Sequence, residues 1–391
     1  MSDSPRNDQA HEHVYIDTDE GLAALCAELA SVPYLVLDTE FLRERTYRPQ
    51  LCLVQIKHEH VLAIVDTQVI EDLSPLVTLL LDERIEKVFH AASQDLEIFW
   101  LMARRVPAPV FDTQLAAPLL GYNEQIGYGN LVSQALGIEL EKSQTRADWT
   151  RRPLPDKQIA YALDDVVYLE TLYLKLRREL ADTGRLDWVA PEFRAIEAIE
   201  KYDQPAGERW KKVRNIARYK GPALAIIQAL ATWRELKARE TDQPRNWLMK
   251  DEVLTTLAQQ QPADKAELAH IRGLDRRTRE AYAAELIELI AQARQRPPEP
   301  VPAFKKKIKS TPATLARVKL LDAWVHQRAA ELDIAPGLLA PPGLLERFVA
   351  GDGRAALPGW RDALIGESLE RLASGESTVR ATQAGLSLQA V

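Results

Sequence analysis

Four acids and a tyrosine offer chemistry in this 391-residue chain. Asp38-Thr39-Glu40 ends the apolar run Tyr34–Leu37. Side chains on a strand alternate faces, so Asp38 and Glu40 point the same way. Adjacent carboxylates repel each other, and burying them without a cation is costly. A solvated strand end is the bland alternative for this fragment alone. A second signal is His90-Ala-Ala-Ser-Gln-Asp95-Leu-Glu97. Ser93 reads there as a helix N-cap, and Asp95 falls in the first turn, where the helix dipole favours a carboxylate. Dipole complementation alone would account for Asp95. The third is Tyr161-Ala-Leu-Asp164-Asp165, inside a long helical pattern. Tyr161 and Asp165 are four apart and share a face. Asp164, three after the tyrosine, competes for the same role, and packing is the ordinary use of such a tyrosine. Taken together, acids from one strand and two helices can converge on divalent ions. Hard oxygen ligands select Mg²⁺ or Mn²⁺. Two such ions ~3.5–4 Å apart clamp the attacking and leaving oxygens of phosphoryl transfer.

The elements that must position these residues are legible in outline. Tyr34–Leu37 has strand character. Residues 51–56 and 61–66 form an expected hairpin around Lys57–His60, and 87–90 is a further strand. Helical periodicity follows at about 94–105, 113–120, 128–136 and 156–181, with Leu163, Val167 and Leu174 on the apolar side of the last. Strands followed by interleaved helices suggest one mixed sheet with helices packed on it. After residue 200 only helices are expected, at 205–219, 222–240, 251–260, 264–270 and 276–295. Asp264 and Glu267 resemble a capping box. Residues 297–312 are rich in Pro and Lys and read as a linker. A faint repeat spans it: Leu230, Trp233, Asp242 and Leu254 recur as Leu321, Trp324, Asp333 and Leu345. The expected division is 1–182 with a core at 14–182, a connector over 183–219, helical domains at 220–296 and 313–375 around the 297–312 linker, and a frayed tail at 376–391.

The acidic pattern resembles the DEDD superfamily of 3′→5′ exonucleases. Asp38-x-Glu40-Phe41 looks like its first motif, Asp95 its second and Tyr161-x3-Asp165 its third. The tyrosine four residues before the last acid marks the tyrosine subclass; the histidine subclass has a His where Ala160 stands. Phe111-Asp112-Thr113-Gln114 with Gly121-Tyr122, and Lys142-Ser143-Gln144 through Asp148-Trp149 to Arg152-Pro153-Leu154, are similar to the ribonuclease D family. Trp233-Arg234 and Gly273-Leu274 resemble the HRDC module. Pro155 stands where that family often has a helix-capping Ser or Thr.

The resemblance implies a ribonuclease H-like α/β mixed-sheet exonuclease domain followed by two all-α HRDC-like domains. It implies hydrolysis of RNA 3′ ends, on tRNA precursors and other small structured RNAs, with release of nucleoside 5′-monophosphates. Asp38, Glu40, Asp95 and Asp165 would hold two divalent ions, Mg²⁺ or Mn²⁺, and Tyr161 would orient the attacking water. Other substrate contacts are open. Phe41 either stacks on the terminal nucleotide or belongs to the core. Asp112 either lies near the site or caps a helix. Lys142, Arg146 and Arg152 either meet phosphates or form a solvated loop. A DNA 3′→5′ exonuclease is the alternative activity, and an inactive nucleic-acid-binding adaptor the alternative class.

The net charge of −7 argues at first against a polyanionic partner. Residues 1–200, however, carry a net −15, residues 201–330 a net +11, and residues 331–391 a net −3. The acidic part coincides with the candidate cation site. The basic part holds Lys211, Lys212 and Arg214, a candidate phosphate contact, with further clusters at Arg276–Arg279 and Lys305–Lys309. This predicts that the first helical domain guides RNA and the second braces. Cys26 and Cys52 are too few for a disulfide framework. No apolar run spans a membrane and the N-terminus lacks a leader pattern, so the expectation is a cytoplasmic protein without membrane contact, and three domains in one chain suggest a monomer.

Overall fold

The computed structural model describes residues 12–140, 147–302 and 311–391. The chain begins with β1 (Val14–Ile16), α1 (Asp19–Glu28), β2 (Tyr34–Leu42), β3 (Gln50–His58) and β4 (Val61–Asp66). It continues with α2 (Ser74–Leu80), β5 (Glu86–Phe89), α3 (Ser93–Ala103), β6 (Val110–Asp112), α4 (Thr113–Ala116), α5 (Tyr128–Leu136), α6 (Asp156–Asp182) and α7 (Leu186–Glu197). The six strands form one sheet in the order β1-β4-β3-β2-β5-β6. β3 and β4 pair antiparallel, while β1 with β4, β2 with β5, and β5 with β6 pair parallel. The sheet is mixed, as the order of signals implies. Val36 pairs with Val88, and Phe89 with Asp112. The parallel strands β2, β5 and β6 therefore end at one edge, where open α/β sheets place their sites.

The rest is helical until the C-terminus: α8 (Gly221–Thr241), α9 (Arg245–Leu248), α10 (Asp251–Gln260), α11 (Lys265–Ala269), α12 (Arg276–Arg294), α13 (Pro312–Leu332), α14 (Pro336–Leu339), α15 (Leu344–Arg347) and α16 (Glu367–Ser374). Strands β7 (Ser377–Thr382) and β8 (Gly385–Ala390) close the chain. The repeat is visible: α8 and α13 start at 221 and 312 and end at 241 and 332, while α9 and α14 span 245–248 and 336–339. Each long helix of the pair ends on an aspartate in left-handed conformation, Asp242 (φ 48°) and Asp333 (φ 51°).

Several expectations are corrected. The helix expected over 205–219 is two 3-10 turns, Ala206–Lys212 and Ile216–Arg218, separated where Asn215 turns left-handed. The tail at 376–391 is not frayed. It forms the β7–β8 hairpin, and Val379, Leu386 and Leu388 pack on the second helical core. Ser93 is the first residue of α3 and not its cap, which falls on Ala92. Leu174 is half exposed.

The chain condenses into two compact units. One joins Leu53–Ala198 to the chain before Phe41 and to the C-terminal helical domain; the other joins Phe41–Cys52 to the helical region from Ile199. In the first unit the second helical domain docks on the exonuclease domain. Trp188 and Trp360 stack at 4.8 Å, with Arg185 over the first ring and Arg361 over the second. The Trp360 indole donates to the Trp188 carbonyl at 3.0 Å, and Arg185 donates to the carbonyls of Leu119 and Leu332. Gly121 lies so close to Asp333 that a Cβ would meet its Oδ1 at 2.7 Å. In the second unit the core of α8, α10 and α12 buries Leu230, Leu254, Leu257 and Leu286. Asp242 there accepts from the backbone N–H groups of Tyr47 and Arg48, through its carbonyl and carboxylate respectively.

Candidate active site

β2 begins as a buried run, Tyr34–Leu37, and then presents Asp38 and Glu40 at the sheet edge. α6 crosses that edge and is anchored from its middle. The Lys57 ammonium pairs with the buried Glu170 carboxylate at 2.6 Å. Tyr34 Oη and the Glu59 N–H donate to the same carboxylate at 3.1 and 2.6 Å. These contacts fix the helix against β2 and β3, and Asp165 lies five residues, somewhat over one turn, before Glu170. As a result, carboxylate oxygens of Asp38, Glu40 and Asp165 lie within 4.8 Å of one another. Asp164 does not join this group; its carbonyl instead accepts from Tyr128 Oη at 2.8 Å.

Asp95 stands behind the three and is held by Thr39, whose hydroxyl donates to its Oδ1 at 2.5 Å. Asp95 is outside the 4.8 Å group, yet close enough that its charge acts on both Asp38 and Glu40. Its position depends on a tight turn. Between β5 and α3 the backbone of Ala91 is left-handed, at φ 63°. Side chains other than glycine adopt that region at a cost. The Asp112 carboxylate holds the turn by accepting from the N–H groups of Ala91 (3.0 Å) and Ala92 (2.9 Å).

The electrostatics record unrelieved negative charge. Burial raises Asp38 well above the ordinary carboxylate range, and Asp165, Asp95 and Glu40 raise it further. Burial, then Asp165 and Asp95, push Glu40 up to about 8. Burial is also the main cause that lifts Asp95 and Asp165 to about 7. Among the described residues, no lysine or arginine is a leading influence on these four acids. A cation is what such a cluster lacks. The donor set is all carboxylate oxygen, which suits a hard divalent metal.

Tyr161 hydrogen-bonds Asp165, and burial with the nearby acids raises its phenol far above its ordinary range. The cleft over the acids has a volume of about 240 Å³ and is lined by Asp38, Thr39, Glu40, His90, Tyr128, Tyr161, Asp165 and Leu169. His90 and Tyr128 were not selected from the sequence. His90 Nδ1 meets Thr113 Oγ1 at 2.9 Å and its Nε2 meets the Ile126 carbonyl at 3.0 Å. Its ring packs edge-on to Tyr128 at 5.6 Å. Burial is the main cause that lowers the His90 pKa. Its place just beyond β5 was the available signal; Tyr128, at the start of a distant helix, carried none.

Comparison with known proteins agrees with this geometry. Residues 13–181 match the family model of the 3′-5′ exonuclease, and residues 223–290 match the HRDC domain. The ribonuclease D of Sphingobium indicum is 38% identical over 372 residues, covering 93% of this chain and 95% of that protein. The chain belongs to the ribonuclease D family. The ribonuclease D of Granulibacter bethesdensis is 39% identical over 369 residues, 92% of each chain. The crystal structure of Escherichia coli RNase D, described as an exoribonuclease involved in structured RNA processing, superposes with a TM-score of 0.79 at 31% identity. That match covers 93% of this chain and 99% of the other. As a ribonuclease D, the protein is a hydrolytic 3′→5′ exoribonuclease with an exonuclease domain followed by an HRDC helical region. Its acidic cluster is compatible with divalent metal binding. Among the described residues, no helix is long and apolar enough to cross a membrane.

Asp112 and Arg152 both have partners within the fold. Asp112 is 2% exposed. Its oxygens accept from Ala91, Ala92 and Gln114, the last as the cap of α4. The structure thus shows the helix cap, one of the two readings open from the sequence, and the same carboxylate ties the turn before Asp95. Arg152 forms a bidentate pair with Asp66, and its remaining amino group donates to the carbonyls of Trp149 and Arg151. A carboxylate as buried as Asp66, 2% exposed, requires that partner. Lys142 and Arg146, with the Lys305–Lys309 cluster, lie outside the described residues. Phe41 follows Glu40 on β2 and is partly buried. Lys211 pairs with Glu208 and lies over the Trp210 ring, Lys212 lines a second cleft, and Arg214 is exposed.

Proposed function

We propose that this ribonuclease D trims 3′ extensions from tRNA precursors and other small structured RNAs in the cytoplasm, as a monomer, releasing nucleoside 5′-monophosphates. The observation that carries the catalytic part is the convergence of Asp38, Glu40 and Asp165 within 4.8 Å. Asp38, Glu40, Asp95 and Asp165 would hold two Mg²⁺ or Mn²⁺ ions. When bound, such a pair supplies an activated water and charge stabilisation on the leaving oxygen.

The protein side chains do the rest. Asp38 and Glu40, on one strand face, would hold the cations together with Asp165. Asp95 is held ready by Thr39. Tyr161 keeps its proton at neutral pH, so its hydroxyl donates a hydrogen bond to orient the nucleophile or the scissile phosphate. Thr39, His90, Tyr128 and Leu169 wall the cleft. The cleft over the acids, about 240 Å³, supports a reading in which one chain end reaches the carboxylates.

The basic charge over residues 201–330 supports RNA guidance by the first helical domain. The Trp188–Trp360 docking supports a bracing role for the second.

The test is digestion of a 3′-extended tRNA precursor with Mg²⁺, with Mn²⁺ or with a chelator. The expected result is metal-dependent release of 5′-mononucleotides, halting near the base-paired stem. Faster digestion of an all-deoxyribose strand than of the same sequence in ribose would favour the DNA alternative.

A further inference from the structure

The second unit holds a cleft of about 470 Å³, twice the volume over the acids and more cationic. Five cations line it: Arg43, Arg209, Lys212, Arg234 and Arg245. Arg43 comes from the loop that leaves β2, and the others from the helical region. Among the described residues that line the cleft, two are acids, Glu235 and Asp251, and both are engaged. Glu235, fully buried, pairs with Arg209 (3.1 Å), Arg239 (3.0 Å) and Arg245 (3.1 Å). Asp251 pairs with Arg234 at 2.8 Å. The walls therefore keep an excess of positive charge. Lys212 donates to the neutral amide of Gln204 at 2.7 Å. Its pKa is lowered, first by burial and then by Arg209 and Arg245.

A second observation indicates what kind of anion fits. Arg245 and Asn246 are in the cleft wall, and the next residue of the same four-residue helix, Trp247, is 55% exposed. It is the one aromatic among the large apolar side chains left exposed in the described residues. An exposed indole beside a cationic groove is the arrangement that single-stranded nucleic acid uses, phosphates in the groove and a base on the ring.

We propose that this cleft binds the phosphodiester backbone of single-stranded RNA, with a base of the same strand stacked on Trp247. It rests on the exoribonuclease reading for the choice of RNA as the polyanion. The cleft is then an anchoring subsite separate from the carboxylate centre. Its buried Glu235 holds the arginine side chains in place, and phosphates balance the excess positive charge.

The experiment is equilibrium binding of a 5′-labelled single-stranded oligoribonucleotide to the full chain, in chelator, over a salt series. Trp247→Ala should weaken binding about tenfold at fixed salt, and Trp247→Phe should restore most of it. Lys212→Gln should lower the slope of log affinity against log salt by about one. Inorganic phosphate should compete no better than chloride at equal ionic strength. Wild-type affinity and slope in Trp247→Ala and Lys212→Gln would overturn the assignment. Equal loss in the Ala and Phe variants would overturn the stacking, and strong competition by inorganic phosphate would show a small-anion site instead. Wild-type hydrolysis with metal, measured in parallel, tests the exoribonuclease reading, so either result can fail without the other.

Discussion

A phenol whose pKa lies far above neutrality can donate a hydrogen bond but cannot serve as a base. That is the state of Tyr161 beside Asp165. Tyr161→Phe should therefore slow mononucleotide release by about 10- to 100-fold, the worth of one hydrogen bond to a charged group, with RNA affinity in chelator unchanged. Asp165→Asn should remove turnover and weaken metal binding measured calorimetrically. The acids also predict how stability depends on pH. Asp95 and Asp165 titrate at about 7 and Glu40 at about 8 in the metal-free fold, against about 4 in an unfolded chain. Raised carboxylates contribute stability at low pH, and that contribution is lost as pH climbs through the folded values. The metal-free protein should thus lose thermal stability between about pH 5 and pH 8. Mg²⁺ should raise the melting temperature most at the upper end of that range, as thermal scans in chelator and in Mg²⁺ would show. A metal-free melting temperature that rises across this range would contradict the acidic cluster as described.

At the scale of elements, the site depends on how α6 is fixed to the sheet. Glu170→Ala would leave the Lys57 ammonium buried and the Tyr34 hydroxyl and Glu59 N–H without their acceptor. The expected cost is about 3–5 kcal/mol by chemical denaturation, with weaker metal binding because Asp165 shifts with the helix. Nothing in the local sequence singles out Glu170, since a long-range pair such as Lys57–Glu170 is set by topology. The strand before Asp38 and the helix around Tyr161 were legible because apolar periodicity and motif spacing are local. β1 and β6 were not, each being three residues long. α1 and α2, ten and seven residues long, have too few turns to display a clear helical period. The C-terminal hairpin looked frayed because its residues are mostly polar, and only the apolar core of α13, α15 and α16 gives Val379, Leu386 and Leu388 a reason to order. The same limit explains Asp112 and Arg152. The sequence left a ligand contact open for each, beside a helix cap for Asp112 and a solvated loop for Arg152, while the partners Ala91 and Asp66 are 21 and 86 positions away.

For the whole molecule, the division of charge now has a structural counterpart. Residues 1–200, net −15, contain the carboxylate centre, and residues 201–330, net +11, contain four of the five cations of the cleft. The net −3 domain is tied to the exonuclease domain through Trp360. Trp360→Ala should leave chemistry at the acids intact but loosen that domain, seen as earlier hydrogen exchange in α13–α16 with little change in kcat. The interleaving of the two units has a consequence for dissection. Residues 41–52 belong by sequence to the exonuclease domain and by packing to the helical region, so a fragment cut at residue 200 severs them from the Asp242 corner that holds Tyr47 and Arg48. Such a fragment should be nicked by trypsin after Arg43 or Arg45 faster than the full chain, because its loop has lost the backbone contacts to Asp242. The modules written in succession along the chain are not the pieces into which the protein comes apart.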